Sequence, residues 1–193
     1  MLVACCDAVV AISFIGSCRK ESVEVLYSDS RLTHITKKDV VELKALAARN
    51  PRKRVRLCAH GSTTNRLHEM LIVHEKVAYV RPHKHLGKTE STHVIEGIVD
   101  FVLFDEDGTL DRVIECGDYA SGKPFYFRMA EPAFHTLVIR SDVLVFHEIT
   151  DGPFDRKDTA FPSWAPDEDD ADTVSRFLTD LDKKIKLTQS AKK

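Results

Sequence analysis

"RPHKHLGKTESTHVIEG", residues 81–97, places His83, His85 and His93 within eleven residues, with Glu90 among them. The surrounding pattern is that of β-strand, in which alternate side chains share a face. Tyr79, Arg81, His83 and His85 therefore project one way, and Val80 and Lys84 the other. Glu90 lies past a short turn, "LGK", on a returning strand where Thr92 and Val94 share its face. Two imidazoles one pleat apart, with a carboxylate coming back beside them, converge as ligands of a single ion would. His93 has the opposite parity and falls outside that set.

Working outward, short strands separated by turn signals run from Val55 to about Ile149. They read "VRLCAH", "LHEMLIV", "VAYVRPH", "STHVIEGIVDFVLF", "DRVIEC", "FYFRM", "HTLVIR" and "DVLVFHEI". "DEDG" (105–108) between two of them is a hairpin turn. Many strands without helical crossovers predict a mainly β fold, a barrel or double-sheet jelly roll, and disfavour a doubly wound α/β sheet. No Gly-rich phosphate loop and no GxSxG elbow occurs, which removes the simplest nucleotide-binding and serine-hydrolase readings.

A helix is expected on each side of this region. In "ITKKDVVELKALAARNP", Thr36 caps, Asp39 completes a capping box, Ile35 staples onto Val40, and Asn50-Pro51 stops the run. Near the end, Ala171, Val174, Phe177, Leu178, Leu181 and Ile185 form one helical stripe, with acids at its start and lysines at its end. The expected division is an N-terminal segment (1–51), a β domain (52–150), and an irregular segment with a C-terminal helix (151–193), all in one structural domain. Trp164 is expected to clamp the C-terminal segment by packing.

Of 193 residues, 43% are hydrophobic and 30% charged, ordinary for a globular protein. A net charge of −2 gives no pull toward nucleic acid or an anionic membrane. Cys5, Cys6, Cys18, Cys58 and Cys116 form no CxxC pair and no framework, so a reducing compartment is the simpler reading. The apolar opening "MLVACCDAVVAISFIGSC" lacks a basic leading region, is interrupted by Asp7, and is too short to span a bilayer. It is read as a buried strand or ragged start, and the chain as cytoplasmic.

His83-x-His85, four residues, Glu90, six residues, Gly97 is the spacing of the first cupin motif, HxH(x)3–4E(x)6G. The second cupin motif, G(x)5PxGxxH, is followed imperfectly: Gly117, Pro132 and His135 are present, the inner glycine is missing and the interval is longer. More closely, "RVRLCAH", "YVRPHKH", "VIEG", "LFDEDG", "FHTLVIRSD", "DGPF" and "WAP" occur in the order seen in WbuC-family cupin metalloproteins, over roughly residues 52–166. The resemblance implies a cupin-type β-barrel or jelly roll with a metal in its mouth, and His135 as fourth ligand beside His83, His85 and Glu90. It also implies a homodimer and a setting in bacterial surface-polysaccharide biosynthesis.

Three histidines and a carboxylate suit Fe, Mn, Ni, Co or Zn as a divalent ion. Four protein ligands on an ion that prefers six leave room for water or a small-molecule substrate. Candidates for substrate contact are Tyr79 and Arg81; Arg81 suits a carboxylate or phosphate, or an ion pair with a nearby acid. His60, which shares a face with Arg56 in "RLCAH", is a candidate for orienting Glu90 or a ligand histidine. His147 and Glu148 point to opposite faces, so one at most looks inward. His34, His68 and His74 lie far from any motif and carry no expected role. The functional expectation is a metal-dependent enzyme acting on a sugar or sugar nucleotide. The alternatives are a non-catalytic metal- or ligand-binding module and, last, a metal-free sugar epimerase or isomerase.

Overall fold

The computed structural model describes residues 14–190; the expectations for residues 1–13, including Cys5 and Cys6, lie outside them. β1 (Arg19–Lys20) and β2 (Val25–Tyr27) precede α1 (Lys37–Arg49). Thr36 caps α1 as predicted: its hydroxyl accepts from the Asp39 amide, and the Asp39 carboxylate accepts from the Thr36 amide at 2.8 Å. There follow β3 (Arg54–Cys58), β4 (Leu67–Glu75), β5 (Lys84–His85), β6 (Glu90–Glu96), β7 (Ile98–Phe104) and β8 (Leu110–Gly117). Then come β9 (Tyr126–Met129), β10 (Phe134–Ile139), β11 (Val143–Asp151), β12 (Thr159–Ala160) and α2 (Ala171–Ser190).

The fold is mainly β, with one helix on each side, as the strand pattern predicts. A seven-stranded sheet runs β1-β2-β3-β4-β11-β6-β9, and a three-stranded sheet runs β10-β7-β8. Hydrogen bonding does not close them into one barrel; they face each other as a double sheet. Period-two alternation explains the layering. Met70, Ile72, Val94 and Phe146 of the larger sheet meet Val99, Phe101 and Ile139 of the smaller in a central core. The opposite face of the larger sheet, Val55, Leu57, Leu71, Val73 and Val145, packs on Leu43 and Ala47 of α1. The opposite face of the smaller sheet, Val102, Phe104 and Phe134, packs on Trp164 and on Leu181 and Ile185 of α2.

One predicted strand is corrected. "VAYVRPH" does not form a ladder: after β4 ends at Glu75, residues 78–82 lie outside any strand, and pairing resumes only with a bridge between His83 and His135. β5 then pairs with β12. Without a ladder, strict alternation does not hold across this stretch, with consequences for Tyr79 and Val80 below. The long "STHVIEGIVDFVLF" is two strands, divided at Gly97, whose φ is +100°. Among the described residues, no helix is long and apolar enough to cross a membrane.

Candidate metal centre

The bridge from His83 to β10 brings distant parts of the chain together. His83 and His135 exchange both backbone hydrogen bonds, at 3.1 and 2.9 Å, which sets their rings 4.5 Å apart. His85 follows on β5, and its ring lies 4.8 Å from that of His83. The three histidines offer nitrogen atoms that all lie within 4.8 Å of one another. Glu90, the first residue of β6 and only 5% exposed, enters from the larger sheet. Its Oε1 is 3.1 Å from His135 Nε2, and its Oε2 is 3.5 Å from His85 Nε2. The four residues named from the motif spacing and the resemblance therefore stand together at one end of the space between the sheets. His93 is exposed on the other face, as its parity predicts.

The ring orientations are fixed from behind. His83 Nδ1 donates to the Arg81 carbonyl at 2.8 Å, and His135 Nδ1 donates to the Ala133 carbonyl at 3.0 Å. Carbonyls only accept, so the ring proton sits on Nδ1 and each Nε2 presents a lone pair. His85 Nδ1 meets the Thr159 hydroxyl of β12 at 3.2 Å. Burial favours the neutral forms: it lowers His83 to about 3 and both His85 and His135 to about 4. Burial first, then the nearby Glu148 charge, raises Glu90 to about 8. His135 Nε2, a lone pair, meets the Glu90 carboxyl, so the contact is satisfied either by a proton that the carboxyl keeps or by a cation that replaces it. Neutral imidazole lone pairs with a buried carboxylate are the donor set that a divalent transition ion takes. The residues fit such an ion.

These side chains line a cavity of about 440 Å³ that also reaches Arg56, His60, His68, His74 and Glu148. Its size is that of a small-molecule site. Glu148 is turned inward, and burial raises its carboxyl to about 6 while Arg56 pulls it down.

The candidates for substrate contact are distributed differently from their expected faces. Tyr79 is not among the lining residues: its hydroxyl donates to the Pro166 carbonyl at 3.1 Å, and its ring packs edge-on against Phe177. Val80, expected to point away, lines the cavity instead. Both follow from the missing ladder at residues 78–82. Arg81 lines the cavity, but its guanidinium is paired with Asp167 at 2.6 Å and donates to the Ala165 carbonyl. His60 lines the cavity without touching Glu90 or a ligand histidine in any hydrogen bond or ring contact of the described residues. Its Nδ1 lies 3.1 Å from both the amide and the carbonyl of Glu69, and its ring stacks on His68 at 4.1 Å. The reading that His68 and His74 lie away from the site is corrected, because both line the same cavity. The signal was present in the hairpin of "VRLCAH" and "LHEMLIV": with Cys58 opposite Met70, the same register carries His60 opposite His68.

Residues 35–116 match the model of a family described as "Domain of unknown function (DUF6016)". No curated protein matches. Among solved structures, a Shewanella oneidensis protein from structural genomics is 14% identical with a TM-score of 0.46, over 55% of this chain and 72% of that one. The capsular polysaccharide assembling protein CapF from Staphylococcus aureus is 18% identical with a TM-score of 0.44, over 56% of this chain and 31% of that one. Bacillus subtilis oxalate decarboxylase, described with Mn(II) centres, is 21% identical with a TM-score of 0.39, over 47% of this chain and 23% of that one. The chain thus spans under a third of the length of the last two.

Proposed function

We propose that this chain is a divalent-metal-binding cupin that acts as a metal-dependent enzyme on a small oxygenated substrate, a sugar or sugar nucleotide. The observation that carries the reading is the convergence of three imidazoles on a buried carboxylate that, among the described residues, no lysine or arginine pairs. His83, His85, His135 and Glu90 would hold the ion. When bound, such an ion polarises a carbonyl or hydroxyl oxygen or lowers the pKa of water. The chain's own contribution is positional. The Arg81 and Ala133 carbonyls and the Thr159 hydroxyl aim the rings, while the buried Phe101 and Phe146 supply apolar wall to the cavity. A link to surface-polysaccharide biosynthesis, a homodimer and a cytoplasmic setting rest on the WbuC resemblance and on the cysteine usage.

One observation favours the second reading, a non-catalytic binding module: Tyr79 and Arg81 are engaged in holding the C-terminal segment. The test is elemental analysis of natively purified protein, with His83→Ala and His135→Ala alongside. Stoichiometric divalent ion in the parent and its loss in both folded variants is expected. A folded parent that takes up no ion from a saturating solution removes the metal reading. Turnover of a sugar or sugar-nucleotide panel by the loaded parent, absent in His83→Ala, then separates enzyme from binding module.

A further inference from the structure

The arginines around the cavity are not equivalent. Arg52 and Arg54 are neutralised by Glu24 and Glu168, with Glu24 at 3.3 and 3.2 Å. Arg81 is paired with Asp167 at 2.6 Å. Among the described residues, Arg56 and Arg156 line the cavity with no ion pair and no side-chain hydrogen bond. Arg156 stands on a short turn, Arg156–Asp158. Arg56 stands on β3 in the middle of the larger sheet, held between Val25 and Ile72. It shares the inward face with Cys58, and the same parity continues to His60. Arg56 is the exposed member of a strand whose Val55, Leu57 and Cys58 are buried, so its guanidinium reaches the open part of the cavity, where Glu148 is the acid that feels its charge.

Charge accounting points the same way. The two free guanidinium groups offset Glu90 and Glu148, the lining carboxylates that no arginine pairs. A divalent ion at Glu90 would leave the cavity with an excess of two positive charges. Such an excess in a cleft favours an anionic ligand. His60 adds a second polar group: its Nδ1 is occupied by the Glu69 backbone, 3.1 Å from both its amide and its carbonyl. His60 Nε2, on the same cavity wall as Arg56, makes no hydrogen bond among the described residues, so it is the ring nitrogen left to meet a ligand.

We propose that Arg56, with His60 beside it, is an oxyanion subsite, so that the ligand of this cavity carries a carboxylate or phosphate group held by the Arg56 fork. The inference deepens the proposed function by naming the ligand's charged group, and it rests on the reading that the cavity is a ligand site. It assigns to Arg56 the anion-holding part for which Arg81, tied to Asp167, has no free charge. The planar fork matches both oxyanions in two-point contact.

The test is calorimetric titration of the full chain with inorganic phosphate and, separately, with malonate, before and after loading with Mn(II). Saturable binding of at least one probe is expected, tighter in the loaded protein. Arg56→Gln should weaken it about tenfold to a hundredfold, as loss of hydrogen bonds from a charged donor does. Arg156→Gln should change it by less than about threefold, because that side chain has no fixed strand beneath it. Phosphate binding alone assigns phosphoesters, malonate alone assigns carboxylates, and either supports the subsite. Binding of neither probe to the parent, equal binding by Arg56→Gln, or equal losses in the two variants would overturn it. Circular dichroism verifies folding, and Arg56→Lys, which keeps the charge and loses the fork, gives an independent reading through an intermediate loss. Metal content measured on the same samples keeps the two proposals apart: oxyanion binding through Arg56 in a chain that takes up no metal leaves this one standing.

Discussion

Gly97 has a φ of +100°, and a Cβ there would lie 2.4 Å from both Ser141 Oγ and the Val143 carbonyl. Those atoms are bonded to each other at 2.7 Å and the hydroxyl also accepts from the Ile98 amide, so they have little freedom to yield. Gly97→Ala should therefore cost about 3 kcal/mol, combining left-handed strain with overpacking. Urea unfolding measures it, and a loss under about 1 kcal/mol would mean that the link between β6 and β7 adjusts freely. The same residue shows how far single positions were legible. The motif names the glycine, while the hydroxyl that forbids a larger residue comes from forty-four positions away. His74 is a contrasting case, isolated in sequence yet buried edge-on against Phe146, with Nδ1 unpartnered. Burial lowers it from 6.5 to about 4. Between those values the unfolded chain binds the proton and the folded chain does not, so stability rises with pH across that window. The contribution is complete above pH 6.5 and is on the order of 3 kcal/mol. His74→Leu should show a shallower loss of stability from pH 6.5 down to 4 than the parent in parallel unfolding titrations. Identical slopes would place His74 in contact with water.

At the scale of elements, the least regular ones shape the centre. β12 is two residues long, yet its pairing with β5 delivers the Thr159 hydroxyl to His85 Nδ1. Thr159→Val keeps the shape and removes the hydroxyl, so His85 loses its orienting partner. Divalent-metal affinity should drop about tenfold or more, as loss of such a partner typically does. Competition with a chelator measures this, and unchanged affinity would show that strand pairing alone holds the ring. Long elements were readable because their signals are local: the Thr36–Asp39 box opens α1, and the apolar stripe from Ala171 to Ile185 identifies α2. "VAYVRPH" has β-forming composition too, but composition does not report whether a partner strand exists. Tyr79 and Arg81 instead meet Pro166, Ala165 and Asp167, which fasten the segment before α2. Parity succeeded at His83, His85 and Glu90, where pairing is real, and failed at Tyr79 and Val80, where it is not.

Taken whole, the molecule is a double sheet braced on both outer faces, and the two braces are attached differently. α1 is held by apolar contact through Leu43 and Ala47, with a half-exposed pair, Lys44–Glu96 at 2.5 Å, at its rim. α2 has an ionic tie that reaches a buried carboxylate: Arg140, just beyond β10, bonds Asp100 of β7 at 2.6 Å and Asp182 of α2 at 2.5 Å. Asp100 is 1% exposed, and its Oδ1 has no partner. Burial raises its carboxyl, and Arg140 works against that rise. Arg140→Met therefore leaves a buried carboxylate without its cation, and breaking such a pair on one side costs about 3–5 kcal/mol. The deficit should depend on pH in a definite direction. With the guanidinium gone, the folded-state pKa of Asp100 rises further above its unfolded value, so the folded variant binds the extra proton in mild acid. Stability of the variant then falls as pH rises through that window, and its gap from the parent is smaller near pH 4 than near pH 7. Adding Asp100→Leu to Arg140→Met removes the stranded charge and should recover most of the loss, since an apolar pair of similar volume replaces a buried ion pair at little cost. Unfolding of the parent, single and double variants at both pH values tests this. A single variant as stable as the parent, or a gap that widens toward acid, would show that Asp100 is hydrated and that α2 is held by its apolar face alone.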